Sequence, residues 1–191
     1  ALNSSTVKDT AGNNATLTHS AVSDNSNYKV DTIHPTVNST GITSATGRQN
    51  NFVNAGDVVS VTATFSESVL VTSGSPTFTL AVGSNNRTAT YTSGSGSAPL
   101  VFGYTIQAGD TDTNGISIAA NALSLNSGTI TDLAGNTATN ITHSAVSDNA
   151  EYMVDTTAPS VSSFAMSDTA IKIGDNATVT LVLSEKVILF S

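Results

Sequence analysis

Apolar and polar residues alternate along much of this chain with a period of two. Val59, Val61, Ala63 and Phe65 alternate with Ser60, Thr62 and Thr64. The pattern continues through Phe78, Leu80 and Val82, through Ala89 and Tyr91, and through Leu100, Phe102, Tyr104 and Ile106. It returns at Val179, Leu181 and Leu183. Successive side chains of a strand point to opposite faces, so the pattern predicts strands with one buried face. Turn-forming clusters punctuate them: SGSP (73–76), GSNN (83–86), SGSGS (93–97), GDTDTNG (109–115) and DLAGN (132–136). No segment carries a helical period. The expectation is an all-β fold, an antiparallel β-sandwich of two sheets packed face to face.

The chain also repeats itself. HSAVSDNSNYKVDTIHP (19–35) and HSAVSDNAEYMVDTTAP (143–159) share 12 of 17 residues at a spacing of 124. KDTAGNNATLTHS (8–20) matches TDLAGNTATNITHS (131–144), with one residue inserted in the second copy. AGDVVSVTATFSESV (55–69) resembles IGDNATVTLVLSEKV (173–187) at a spacing of 118. The organisation expected is one complete unit over 32–156, preceded by the last part of another (1–31) and followed by the first part of a third (157–191). Neither flanking piece carries a counterpart of roughly 74–123. A slice through a longer tandem array is the expected origin of such a pattern.

Composition narrows the chemistry. Fourteen acids against six Lys and Arg give a formal charge of −8, which disfavours nucleic acid and anionic lipid and favours divalent cations. No apolar run is long enough to span a bilayer as a helix. With no cysteine, disulfides and thiolate metal sites are excluded, leaving packing or oxygen-ligated metal as the available staples. Residues 32–156 contain no lysine, so a Lys–Asn isopeptide staple is excluded there too.

VDTTAP, GDVVSVTATFSE and ITDLAGN, in this order and in two copies, resemble the bacterial immunoglobulin-like repeats of large secreted adhesins and biofilm proteins. The spelling is closest to the SWM-type repeat, and the resemblance covers essentially the whole chain. It implies Ig-like sandwich modules strung as an extracellular, cell-surface stalk, often loaded with calcium.

The carboxylates are the candidate ligands. Five recur between copies: Asp9 with Asp132, Asp24 with Asp148, Asp31 with Asp155, Asp57 with Asp175, and Glu67 with Glu185. The lysines do not recur: Lys8 faces Thr131 and Lys29 faces Met153. Carboxylates kept without cationic partners point to turn hydrogen bonds or to a metal. Asp110, Asp112 and Asn114, followed by Gly115, match the opening of a calcium loop, but the twelfth position is Asn121 rather than a bidentate Glu. Two readings stay open: half a Ca2+ site, or an Asp/Asn-rich turn without metal. On Ig-like topology, Glu67 closes the second strand, Asp132 opens a hairpin turn and Asp31 lies in the linker, at one pole. Asp57 and Asp110–Asn114 lie at the other. Stacking units head to tail then brings Asp110, Asp112 and Asn114 near Asp155 and Glu185 of the next junction, with Ca2+ neutralising the crowd.

The remaining motifs read as structural. Asp132 of DLAGN can accept backbone amides within its own turn. Pro159 stiffens the linker, and Tyr28 and Tyr152 suit core positions. His19 and His143 have no partner at metal-ligand spacing and suit loop-anchoring hydrogen bonds, whereas His34 is expected to be exposed. No acid, base and nucleophile assemble into a catalytic set, so no enzyme is expected. The function expected is a structural repeat whose partners are neighbouring repeats of the same chain. One alternative is a module binding a glycan, a protein or a host receptor, although the chain has no Trp and few aromatics. Another is a fibre in which like chains complement one another's strands.

Overall fold

The computed structural model describes residues 5–188; residues 1–4 and 189–191, the outer edges of the two flanking segments, lie outside the described residues. The chain divides into two compact units, Ala1–Asp31 and Thr32–Ser191. No helix occurs among the described residues, and the fold is all-β. The larger unit opens with β1 (Val37–Ala45), β2 (Phe52–Val53) and the 16-residue β3 (Val58–Ser73). Next come β4 (Thr77–Val82), β5 (Asn85–Ser93) and β6 (Ser97–Thr105), joined by the short turns that the Gly/Ser clusters predict. Short strands follow: β7 (Thr111–Asp112), β8 (Leu123–Ser124), β9 (Thr129–Asp132) and β10 (Met153–Asp155). A hairpin of β11 (Val161–Met166) and β12 (Val179–Leu183) completes the described strands.

The main sheet is antiparallel, in the order β1-β3-β6-β5-β4-β8, with β9 pairing the far half of β3. A smaller sheet places β10 between β2, to which it runs parallel, and β7. Together they make a β-sandwich. The alternating residues supply its core: Val59, Val61, Ala63 and Phe65 of β3 with Phe78, Leu80, Leu100 and Phe102, all buried. Phe78 meets Phe102 edge-on at 4.9 Å between centroids, the arrangement the ring quadrupoles favour. Ile106 just past β6, Ile130 of β9, and Ile116 and Ile118 from the connecting segments complete this core.

The sequence repeat is a structural repeat at the level of single hydrogen bonds. In the first hairpin Val37 opposes Phe65, and after a bulge Ser39 opposes Thr64, Thr40 opposes Ala63 and Ile42 opposes Val61. In the second, Val161 opposes Leu183, and after the same bulge Ser163 opposes Val182, Phe164 opposes Leu181 and Met166 opposes Val179. Every pair is the first one advanced by 124 residues on one strand and 118 on the other. The Ser66 amide donates to Thr36 O at 2.8 Å, and its equivalent Ser184 donates to Ser160 O at 2.8 Å. The smaller unit copies the other end. Asp9 and Asn13 bridge Lys8 to Asn14 as Asp132 and Asn136 bridge Thr131 to Thr137. The copies differ in burial. Tyr152 and Val154 are 6% and 2% exposed, whereas Tyr28 and Val30 are 83% and 90% exposed. Tyr28 is therefore not the core residue its position in the repeat suggests. Its local turn has formed without the sheets that cover Tyr152.

Candidate functional site

Among the described residues, three charged side chains are buried, Asp110, Asp112 and Asp132, and all three are candidate ligands. Their hydrogen bonds define what each does.

Asp110 follows the loop after β6 and turns inward. Its Oδ1 accepts from Arg87 Nε at 2.8 Å and Nη2 at 2.5 Å. Its Oδ2 accepts from the Tyr104 hydroxyl at 2.5 Å and from the Gln107 amide at 3.0 Å. Burial works against the charge, but the donors from Tyr104, Gln107 and Arg87 hold the carboxyl below its ordinary pKa. Burial and the bond to Asp110 push the Tyr104 phenol up to about 12. These four donors account for both oxygens, so Asp110 acts here as an internal anchor. Arg87 is the functional residue the sequence reading missed. It lies two residues before Ala89 and four before Tyr91, on the inward parity of β5, where an unpaired cation would be costly.

Asp112 closes its own loop. Oδ1 accepts the Gly115 amide at 2.8 Å and the Asn114 amide at 3.2 Å, while Oδ2 accepts the Gly83 amide at 2.7 Å. Asn114 donates from its side chain to Asp148. The loop has the form of a hydrogen-bonded Asx turn. It does lie beside the linker, because Thr111 and Asp112 of β7 pair with Asp155 and Val154. Asp155 caps the Thr157 amide at 2.9 Å. Thr156 locks the linker to this pole, accepting from the Gly109 amide at 3.0 Å and donating to Asp110 O at 2.9 Å. Asp57 is half-buried and accepts the Asn54 amide at 2.8 Å, a bond Asp175 repeats with the Lys172 amide at 3.0 Å.

Asp31, Glu67 and Asp132 come together. Each offers a carboxylate oxygen, and these oxygens lie within 4.8 Å of one another. Glu67 lies within β3 rather than at its end. It occupies the irregular stretch between Thr64 and Val69 where the register with β6 shifts, and Val69 then pairs with Ser97 of β6 on one side and Asp132 of β9 on the other. Asp132 is the last residue of β9. Asp132 accepts the Asn136 amide at 2.7 Å and the Asn136 side chain at 2.7 Å. Burial opposes its charge, yet these bonds hold its pKa below the ordinary value, so it is ionised at neutral pH. The Gly135 and Ala134 amides also lower its pKa, so most of its acceptor capacity is taken up within its own turn. Asp31 is exposed, Glu67 partly exposed and Asp132 buried, and the three together could hold a metal ion. Glu185, the counterpart of Glu67, has a buried Oε1 without a hydrogen-bond partner.

The histidines anchor loops. His143 Nε2 accepts the Leu123 amide at 3.2 Å, which leaves Nδ1–H to donate to Ser144 O at 2.9 Å. His19 makes the matching bond to Ser20 O at 2.8 Å, and exposed His34 meets Thr137 O at 2.8 Å. Comparisons with protein-family models, with curated proteins and with solved structures found no match to this chain.

Proposed function

We propose that the chain is a structural segment of an extracellular, cell-surface protein, of the kind its sequence resembles among bacterial adhesin and biofilm repeats. In this reading it bears load and sets spacing and catalyses no reaction. The observation that carries it is the repeat itself: two hairpins with one bulge and one register, and two Asp–Asn turns with one hydrogen-bond pattern. A sequence that reuses a scaffold to the single hydrogen bond while its lysines drift is selected for architecture.

Calcium is held at Asp31, Glu67 and Asp132. Three carboxylates so close repel one another unless a cation neutralises them, and calcium accepts six to eight oxygens with loose geometry. Water and backbone carbonyls supply the remainder. Such an ion ties β3 to β9 through Glu67 and Asp132.

Calcium titration of the whole chain tests this. Millimolar calcium is expected to raise the melting temperature and narrow the solution-scattering envelope, and EDTA to reverse both. Glu67→Gln with Asp31→Asn is expected to abolish the response. Identical melting and scattering in calcium and in EDTA would remove the ion from the account.

A further inference from the structure

We infer that Asn114–Gly115 is a modification site, at which the chain converts irreversibly to aspartate or isoaspartate once the loop that Asp112 closes comes open. It is the chain's one Asn-Gly pair. Such a pair carries its own chemistry. The Gly115 nitrogen, after losing its proton to base, attacks Cγ of the Asn114 side chain, and a glycine presents no side chain to obstruct the approach. The new N–Cγ bond closes a five-membered succinimide, the Cγ–Nδ2 bond breaks, and ammonia leaves. Water then opens the ring at either carbonyl, giving aspartate or isoaspartate, and no other reactant is needed.

The closed loop withholds what that attack requires. Gly115 is buried, and its amide donates to Asp112 Oδ1 at 2.8 Å. A hydrogen bond to a carboxylate opposes loss of the amide proton. Gly115 is held at φ +100, and a Cβ there would lie 2.0 Å from the Asn149 carbonyl oxygen. With that backbone against it, the glycine has little room to turn until the loop opens. Asn114 itself is exposed, so water reaches the site, but its Nδ2 is tied to the Asp148 carboxylate. Conversion removes this donor and sets a new carboxylate beside Asp148 and close to Asp112, and isoaspartate also lengthens the backbone. Like charges then oppose reclosure. Asp112 belongs to β7, which pairs with Val154 and Asp155 beside the linker. A transient opening is thereby recorded as a lasting loosening at that pole. None of this depends on the calcium reading, because Asp31, Glu67 and Asp132 take no part.

Peptide mapping by mass spectrometry tests this on the full chain, aged in mildly alkaline buffer with and without denaturing urea. Conversion at Asn114 is expected to be at least about tenfold slower in buffer than in urea, because only opened molecules react. At urea concentrations too low to unfold the sandwich, its rate is expected to rise in step with hydrogen exchange of the Gly115 amide, which needs the same opening. Asn114→Asp mimics one converted product and is expected to melt at a lower temperature than the unmodified chain. Adding Asp148→Asn is expected to recover part of that loss by removing one of the facing charges. An Asn114 rate that is equal in buffer and in urea, or conversion that proceeds while the Gly115 amide stays protected, would overturn the inference. Unchanged melting of Asn114→Asp would remove the lasting loosening from it.

Discussion

Arg87 and Asp110 show how a single residue's meaning depends on its partner. Read along the chain, Asp110 is the first oxygen of a calcium-loop motif; folded, it takes four donors, two of them from Arg87. Replacing Arg87 with Met keeps most of the stem and leaves the carboxylate buried with less compensation. The expected result is a lower urea midpoint, with part of the compensation kept because Tyr104 and the Gln107 amide still donate. Urea denaturation would measure it. Adding Asp110→Asn to Arg87→Met is expected to recover part of the loss, because the cost lies in the unpaired charge. The sequence left two readings open at Asp110 because a carboxylate's neighbours come from other strands. Only the parity of Arg87 on β5 hinted at a cation on the buried side.

At the scale of elements, the alternation located β3, β4, β5, β6 and β12, and the Gly/Ser clusters located the turns between them. Gly94 illustrates why the turn chemistry is readable. It has φ +109, and a Cβ there would lie 2.2 Å from the Pro99 carbonyl oxygen, so both the backbone angle and the space demand glycine. Gly94→Ala is expected to cost more than about 1 kcal/mol. Gly41 is the contrasting case. It lies in β1, no atom stands within 4 Å of where a Cβ would sit, and its copy in β11 is Ala165. Gly41→Ala is expected to be neutral or to stabilise by about 0.5 kcal/mol through the unfolded state. Thermal melts of the two variants side by side check both. The two-residue strands β2, β7 and β8 were not legible, because so short a strand has no period of its own and is defined by its partner's backbone.

For the whole molecule, the repeat was plain in the sequence, but the unequal burial of its copies was not. Tyr28 and Tyr152 sit in matching turns and matching words, and one is solvent-exposed while the other is core. Stability should follow burial rather than sequence identity. In hydrogen exchange, amides of β3 and β6 are expected to be the slowest. Those of β11 and β12 should exchange orders of magnitude faster at low protein concentration, despite pairing in the same register as β1 and β3. Equal protection of the two hairpins at high dilution would contradict this.

By itself, the order of residues determined the strand class, the turns, the repeat and its spacings, and the set of carboxylates worth watching. Those properties are local: they depend on side-chain alternation, on backbone angles that glycine allows, and on hydrogen bonds spanning two to four residues. The tertiary structure decided which carboxylates serve the interior and which converge. Asp110 and Asp112 are anchors, while Glu67 and Asp132, far apart along the chain, come near each other because β9 pairs with β3 at Val69. Charge and coordination act through space, and distance in space is what a linear pattern does not carry.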